Sequence, residues 1–257
     1  MSDLNGYVTV EHSEGIATIE FYHPQSNSLP AEKLNSLASA IEEEGSNTAT
    51  RVIILRSAGE KVFCAGASFD ELANISNEEE GLEFFSGFAK VINTMRKVPK
   101  FIIVRIQGKC IGGGVGLAAA ADYAIATEGA DIKLSELAIG IGPFVVGPAV
   151  ERKIGLSAFA QLAIDATLWR SADWAKRKSL YAELHTDIKG MDESIKRLSR
   201  TLAFSNPAAM QEIKNILWEG TENWDRLLQE RAAISGKLIL SDYSKEFINS
   251  FKEKLKK

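Results

Sequence analysis

The residues best suited to chemistry on a ligand are three consecutive glycines, Gly112 to Gly114. They follow an apolar strand pattern over 101–106 and open an alanine-rich helix predicted over 117–126. Glycine has no Cβ, so a ligand can approach the main chain closely. The first N–H groups of a helix lack partners, and the helix dipole adds positive charge there. The turn therefore suits developing negative charge, whereas its spacing matches neither the GxGxxG nor the P-loop pattern.

A second loop, residues 59–72, offers a similar main-chain site. Ala65, Gly66 and Ala67 are small, and the run from Ser68 to Glu71 fits the Ser-x-x-Glu capping box of a helix start. One N–H group from each loop could form an oxyanion hole, which would stabilise a thioester carbonyl as it becomes an enolate. The alternative is that both glycine clusters are only tight turns between a strand and a helix. The spacing by itself favours this alternative.

The elements that would position these loops are alternating strands and helices. Segments 7–12 and 16–21 alternate in polarity or are β-branched, with a turn between them that predicts a hairpin. Beyond residue 147 the chain is nearly all helical in pattern. This order favours an α/β core followed by a C-terminal helical subdomain. Further strands are predicted over 51–56, 101–106 and 131–135, and helices over 31–44 and 78–96.

Composition excludes several classes of protein. With 257 residues, 45% of them hydrophobic, the chain can form one globular core. The net charge of −4 weighs against a nucleic-acid partner. No segment reaches the roughly eighteen apolar residues of a membrane span, so no membrane partner is expected. Cys64 and Cys110 form no disulfide framework, which favours a cytoplasmic location, and the widely spaced histidines predict no metal site.

Several motifs together resemble the signature of the crotonase family, that of enoyl-CoA hydratases and isomerases. They are Phe63–Ser68, Gly112–Leu117 with Asp122, and Leu134–Glu136 with Gly140, in the family's order and spacing. The resemblance implies a crotonase-like spiral of ββα units with an acyl-CoA site over residues 1–190. It also implies a C-terminal helical oligomerisation region over residues 191–257, and a homotrimer or a dimer of trimers.

The resemblance further implies roles for individual residues. The N–H groups of Ala67 and Gly113 would form the oxyanion hole, and Glu136 would be the acid/base carboxylate. Coenzyme A would enter as part of the substrate, with no separate cofactor and no metal. Phe251 and Lys254 lie where the family's last helix touches coenzyme A bound to a neighbouring subunit. The other implied substrate contacts are Gln25, Ser26, Ser28, Ala65, Ala67, Ser68, Phe69, Asp70, Gly113 and Phe144.

Some positions depart from the family pattern. Two-glutamate hydratases carry a glutamate two residues after the glycine triplet, where this chain has Gly116, so only Glu136 remains. Ser68 stands where the family often has aspartate. Phe144 replaces a glycine and is expected to narrow or reshape the acyl pocket. For Asp122, inside the predicted helix, a structural hydrogen bond is expected rather than catalysis.

Two reactions need only one carboxylate. Glu136 could activate water for addition at C3 of a 2-enoyl-CoA and then supply a proton, which is a hydratase. It could instead move a proton between C2 and C4, which is a Δ3-Δ2-enoyl-CoA isomerase. The run from Gly142 to Pro148 resembles a Pro-x-Val-Ile-x-Pro stretch of bacterial methylglutaconyl-CoA hydratase-like proteins, which favours hydration of a short or branched substrate. A non-catalytic crotonase-fold scaffold is the third hypothesis.

Overall fold

Two sheets form the centre of the protein. The computed structural model describes the backbone of residues 5–255 and the side chains of residues 5–250. Within this part the strands are β1 (Tyr7–Ser13), β2 (Ile16–Tyr22), β3 (Val52–Ser57), β4 (Val62–Cys64), β5 (Phe101–Ile106), β6 (Lys109–Ile111), β7 (Tyr123–Thr127), β8 (Ile132–Lys133) and β9 (Glu183–His185). The main sheet has the order β1-β2-β3-β5-β7-β9, and the small sheet has the order β4-β6-β8. The predicted β1–β2 hairpin is antiparallel, and every other pair of strands is parallel.

The chain alternates between the two sheets. A strand of the main sheet is followed by a short strand of the small sheet and then by helices, in the orders β3-β4, β5-β6 and β7-β8. This repetition is the expected spiral of ββα units. The helices of the described chain are α1 (Ala31–Ser46), α2 (Phe69–Leu72), α3 (Glu78–Lys97), α4 (Gly113–Ala120), α5 (Gly147–Ile154), α6 (Leu156–Ile164), α7 (Ala172–Arg177), α8 (Ile188–Ala203), α9 (Pro207–Leu217), α10 (Trp224–Leu238) and α11 (Asp242–Leu255).

One predicted element is wrong: the helix expected over 117–126. Helix α4 already begins at Gly113 and ends at Ala120, and residues 123–127 form strand β7. The Asp122 N–H group donates to the Ile102 carbonyl, at 3.1 Å, and Ile103 then pairs with Tyr123 in the parallel ladder. The helix preference of alanine is worth only tenths of a kcal/mol per residue. A buried, fully hydrogen-bonded place between β5 and β9 outweighs that preference.

Apolar side chains pack in three clusters. The main core lies between the two sheets and helices α1 and α3, and a second cluster lies under α8 on the other face of the main sheet. The strongly apolar β3 and β5 are accordingly buried on both faces, as is usual for parallel strands. A third cluster joins α3 to α10 and α11. None of the helices described here is both long and apolar enough to cross a bilayer.

The C-terminal helices pack on the core of their own chain. Helices α3 and α10 touch backbone to backbone, because a Cβ built on Gly81 would lie 2.7 Å from the Gly236 Cα. Trp224, Leu228 and Ala232 of α10 belong to the main core. Other apolar side chains of this region are exposed in the single chain, including Phe204 at 85% and Ile216 at 63%. The division at residue 190 into a core and an oligomerisation region stays a prediction.

Candidate active site

The loop that carries Ala67 is held in an extended conformation by its neighbour, Leu29. The Leu29 N–H group donates to the Gly66 carbonyl at 2.8 Å, and the Ser68 N–H group donates to the Leu29 carbonyl at 3.2 Å. In a parallel bridge of this kind the N–H group of the middle residue points to the opposite side. Among the described residues the Ala67 N–H group has no hydrogen-bond acceptor. It is therefore available to a ligand.

The glycine turn provides the second group. Gly112 has φ +52, and Gly113 is the first residue of α4, so its N–H group has no partner within the helix. A Cβ on Gly113 would lie 2.2 Å from the Phe88 ring, so a larger residue at this position would force that ring to move. The two loops touch, since a Cβ on Gly66 would lie 3.3 Å from the Gly113 nitrogen. The structure thus brings the two predicted loops together.

Glu136 lies against the same turn. A Cβ on Gly112 would lie 3.2 Å from Glu136 Oε1, and Glu136 Oε2 is shielded from solvent without a hydrogen-bond partner among the described residues. Burial raises the pKa of this carboxyl group to about 7, although the backbone N–H groups of Glu136 and Ser135 partly offset the effect. Both protonation states are therefore populated at neutral pH. A carboxyl group of this kind can accept and return a proton.

A short helical turn fixes the backbone on which Glu136 stands. Glu136 precedes the 3-10 turn Leu137–Ile139, and its carbonyl accepts hydrogen bonds from the N–H groups of Ile139, at 3.2 Å, and Ile141, at 3.1 Å. Gly140 ends the turn with φ +86, in the left-handed region that favours glycine. Strand β8 of the small sheet leads to this turn. Strands β4 and β6 of the same sheet lead to the Ala67 loop and to the glycine turn.

Residues 25–28 and 65–70, which include most of the residues predicted to contact coenzyme A, are joined by hydrogen bonds into one wall. The Ala65 N–H group donates to the Ser26 carbonyl at 3.2 Å, and Gln25 Nε2 donates to Asp70 Oδ2 at 2.6 Å. Ser28 is buried, and its hydroxyl oxygen lies 3.1 Å from His23 Nδ1. Ser68 caps α2 by accepting from the Glu71 N–H group at 3.3 Å, which is one half of the predicted capping box, and Phe69 begins that helix. The other half is not formed, because the Glu71 carboxylate accepts from the Ala31 N–H group at 2.8 Å and the Ser68 N–H group donates to Leu29.

Asn27, which is not among the predicted site residues, holds this wall in place. Its side chain donates to the carbonyls of Ala58 and Val62, at 2.8 and 3.0 Å, and accepts from the His23 N–H group at 3.0 Å. Asn27 has φ +54. Asparagine is tolerated in this left-handed region. Its place in the sequence Pro-Gln-Ser-Asn was therefore the signal that could have indicated a turn residue at this position.

Apolar side chains fill the place at which two-glutamate hydratases carry their first acid. A Cβ on Gly116 would lie 2.5 Å from Val146 Cγ1 and 3.6 Å from Ile92 Cδ1. A glutamate at position 116 would therefore collide with Val146. Phe144, which is half-buried, turns its ring over Gly142, where a Cβ would lie 2.6 Å from the ring. Val146 and Phe144 both belong to the run from Gly142 to Pro148.

Two of the predicted contacts fall where the structure gives no side-chain description. The backbone of Phe251 and Lys254 belongs to α11, but their side chains lie outside the described residues. Asp122, in contrast, has the structural role expected for it: it accepts from Ile102 N–H at 2.8 Å and Trp218 Nε1 at 3.0 Å. It lies in the turn between α4 and β7, not in a helix.

Known proteins resemble this chain in sequence. A family model described as enoyl-CoA hydratase/isomerase matches residues 11–257. The provisionally named enoyl-CoA hydratase/isomerase YngF of Bacillus subtilis (strain 168) is 38% identical over 51% of this chain and 50% of its own length. The mitochondrial methylglutaconyl-CoA hydratase of Homo sapiens is 31% identical over 76% of this chain and 58% of its own length. The chain thus spans between half and three fifths of these two relatives.

Solved structures show the same fold. An enoyl-CoA hydratase/isomerase from Xanthobacter autotrophicus Py2 superposes with a TM-score of 0.87 over 97% of this chain and 94% of that protein, at 21% sequence identity. At this identity the likeness establishes the architecture of the two sheets and their helices. Together with the family match over residues 11–257, it shows that this chain belongs to the enoyl-CoA hydratase/isomerase family, within the crotonase superfamily.

Proposed function

We propose that this enzyme adds water across the 2,3 double bond of a short or branched 2-enoyl-CoA. The observation that carries the proposal is Glu136 Oε2, which is buried with no hydrogen-bond partner in the described part of the chain. It lies beside Gly112 and close to the loops of Ala67 and Gly113. The human relative, named as a methylglutaconyl-CoA hydratase, supports a hydration reaction. Coenzyme A arrives as part of the substrate, and the proposed reaction uses no separate cofactor.

The proposed reaction uses the Glu136 carboxyl group and the N–H groups of Ala67 and Gly113. The thioester oxygen accepts hydrogen bonds from the N–H groups of Ala67 and Gly113. The Glu136 carboxylate takes a proton from water while the water oxygen bonds to C3, and the electron pair of the double bond moves onto the thioester as an enolate. Protonated Glu136 then gives that proton to C2, which restores the thioester and the carboxylate. A pKa of about 7 suits a group that acts as base and then as acid.

In this proposal the coenzyme A moiety lies along the wall formed by residues 25–28 and 65–70. The hydrogen bonds between Ala65 and Ser26 and between Gln25 and Asp70 join the two segments into one surface. Phe144 would contact the acyl group, and Phe251 and Lys254 would contact coenzyme A. These contacts follow from the family resemblance.

Loss of the conjugated thioester absorbance on mixing with crotonyl-CoA tests the proposal. Glu136→Gln keeps the size of the side chain but cannot exchange the proton, so we expect kcat to fall about a thousandfold while acyl-CoA binding is kept. Glu60→Gln, at an exposed glutamate, is the matched control and should keep full activity. Full activity in Glu136→Gln, or no turnover of any 2-enoyl-CoA by the wild type, would contradict the proposal.

A second reaction, isomerisation of a 3-enoyl-CoA to the 2-enoyl isomer, is favoured by one observation. Val146 and Ile92 occupy the place of the first glutamate, so no second carboxylate helps to hold water. Glu136 alone would then move a proton between C2 and C4. Supplying 3-hexenoyl-CoA in deuterated water distinguishes the two reactions. A hydratase leaves it unchanged, whereas an isomerase gives the conjugated product with little 3-hydroxyacyl-CoA.

We also propose that the enzyme is a homotrimer or a dimer of trimers. Apolar side chains at the end of α8 and on α9 stay exposed in the single chain: Phe204, Ile213, Ile216 and Leu217. Contact with another copy would remove them from water. Sedimentation equilibrium should give three or six times the mass of one chain, and a monomer at micromolar concentration would contradict this.

A further inference from the structure

Strand β4, which leads to the Ala67 loop, is irregular at its start. Its pairing with β6 shifts register between Val62 and Cys64. An irregularity of this kind bends a strand and changes its twist, so it sets the direction of the residues that follow. The Val62 carbonyl at this point accepts from two side-chain amides, Asn27 Nδ2 at 3.0 Å and Gln107 Nε2 at 3.2 Å. The course of the chain towards Ala67 therefore depends on how that carbonyl is held.

The Asn27 side chain is buried and has all its polar atoms in hydrogen bonds. Nδ2 donates to the Ala58 carbonyl, at 2.8 Å, as well as to the Val62 carbonyl, and Oδ1 accepts from the His23 N–H group at 3.0 Å. The backbone of Ser26 and Asn27 is left-handed, with φ +55 and +54. Residues other than glycine persist in this region where the surrounding contacts fix them. The three side-chain bonds of Asn27 supply that fixation and join the turn to the start of β4.

The far end of the same loop is held by the residue two positions after Asn27. Leu29 bonds through its N–H group and its carbonyl to the residues on either side of Ala67, at 2.8 and 3.2 Å. Residues 62–68 are thus fixed at their start by Asn27 and at their end by Leu29. The Ala67 N–H group points away from Leu29 as a result, on the loop that touches the Gly113 nitrogen.

We propose that Asn27 is a positioning residue for the oxyanion hole: its hydrogen bond to the Val62 carbonyl sets the direction of the Ala67 N–H group relative to that of Gly113. The inference rests on the proposed acyl-CoA function and adds to it a side chain that acts through the backbone of another loop. Two donors stabilise an enolate best while both are aimed at its oxygen. The ground-state thioester depends on them less. Loss of the Asn27 bonds should therefore slow the reaction more than it weakens binding.

Three substitutions separate the hydrogen bonds of Asn27 from its backbone conformation. Asn27→Gly adopts a left-handed φ readily but loses all three side-chain bonds. Asn27→Asp keeps the size of the side chain and the acceptor for His23, but as a carboxylate it donates to neither carbonyl. Asn27→Ala loses the bonds and also disfavours the left-handed backbone. Asn47→Gly is the matched control, because it removes side-chain hydrogen bonds to Glu44 and Ala49 in the loop before β3.

Turnover, binding and the polarisation of the carbonyl are measured on each variant. In Asn27→Gly and Asn27→Asp, kcat for crotonyl-CoA should fall about tenfold to a hundredfold, less than for removal of a whole donor. The Kd of the saturated analogue butyryl-CoA, from calorimetry, should change less than about threefold. Isotope-edited infrared spectroscopy should show the thioester carbonyl band of bound butyryl-CoA at higher frequency than in the wild type, since a misdirected N–H group polarises it less. Asn47→Gly should change none of the three.

The outcomes separate this inference from the proposed function. A wild-type kcat and an unshifted carbonyl band in folded Asn27→Gly would overturn the role of Asn27 while leaving the acyl-CoA site intact. Impairment of Asn27→Ala alone would overturn it too, because only the backbone conformation would then matter. If Asn27→Gly does not fold, Asn27→Asp decides by the same readings, and the band needs no turnover. Failure of the wild type to bind any acyl-CoA overturns the proposed function itself.

Discussion

Glu136 titrates near neutral pH because its carboxyl group is buried beside the glycine turn, and the activity should follow that titration. Either proposed reaction begins with the deprotonated carboxylate as base. We therefore expect kcat/KM for crotonyl-CoA to rise tenfold per pH unit below about pH 7 and to level off above it. A profile of kcat/KM from pH 5 to pH 9 checks this. Glu60→Gln should keep the same profile, and a profile that is flat between pH 5 and pH 8 would show that another group is the base.

The same burial should make the protein less stable at neutral pH than at pH 4.5. The pKa of Glu136 in the folded state, about 7, lies above its ordinary value of 4.5, so its contribution is fully present below pH 4.5 and is lost as the pH rises towards 7. The loss amounts to about 3 kcal/mol. Glu136→Gln cannot ionise, so its free energy of unfolding relative to the wild type should increase by about that amount between pH 4.5 and pH 8. Urea unfolding of both proteins at the two pH values measures this. If the free energies of unfolding of the two proteins differed by the same amount at both pH values, that result would contradict the burial of the Glu136 carboxyl group.

Position 116 should not accept the missing glutamate, because Val146 lies where its side chain would start. We expect Gly116→Glu to lower the free energy of unfolding by about 3 kcal/mol, through overpacking and through burial of an unpaired carboxyl group. Val146→Ala in the same protein should recover part of that loss by opening the space. Urea unfolding of the two single variants and the double variant gives the coupling between the sites. Additive effects would show that Val146 does not occupy this place.

The site could be predicted from the sequence only in part, for a physical reason. The glycine turn, the Ala67 loop and Glu136 each lie within a short motif that can be read from consecutive residues. The filling of the space at Gly116 depends on Val146, thirty positions further along the chain, and no local pattern reports that contact. Asn27 was missed for the same reason, since its acceptors, Ala58 and Val62, lie 31 and 35 positions further along the chain.

Among the elements, the crossing of α3 and α10 depends on a pair of glycines. A Cβ on Gly236 would lie 2.8 Å from Gly81 C and from Leu82 N, which are backbone atoms and cannot rotate away. Alanine would gain about 1 kcal/mol of helix propensity, but forcing the helices apart costs more. We therefore expect Gly236→Ala to destabilise the protein by about 2 kcal/mol in urea unfolding. Gly129→Ala, which meets only Thr127 Oγ1 at 3.7 Å, is the control. No loss of stability in Gly236→Ala would mean that the helices do not cross this closely.

Strands and helices with a clear pattern in consecutive residues were predicted correctly, whereas those that depend on distant partners were not. The β1–β2 hairpin and helix α3 were predicted because alternation, a turn signal and helical periodicity act over neighbouring residues. Strands β4 and β9, of three residues each, have no such signal and exist only through pairing with distant strands. β7 was mistaken for a helix because its alanines carry a weak local preference that the parallel ladder overrides.

At the scale of the whole molecule, one buried ion pair fastens α9 to the core. Lys214 Nζ lies 2.9 Å from Asp122 Oδ2, and the two side chains are 2% and 5% exposed. The ammonium group also donates to the carbonyls of Met95, at 2.8 Å, and Lys100, at 2.7 Å. Burial lowers the pKa of Lys214, and the charge of Asp122 opposes that shift. The turn before β7, the end of α3 and α9 therefore meet at one cation.

Removing that cation should leave Asp122 charged, buried and short of a partner. We expect Lys214→Met to destabilise the protein by about 3 kcal/mol, whereas Arg177→Met, which breaks an exposed pair with Asp173, should change stability by less than about 0.5 kcal/mol. Adding Asp122→Asn to Lys214→Met removes the second charge and should recover part of the loss. Urea unfolding of these variants measures each step. If Lys214→Met were as stable as the wild type, α9 would be held by apolar packing alone, and the exposed side chains beside it would have no fixed platform for contacting another copy.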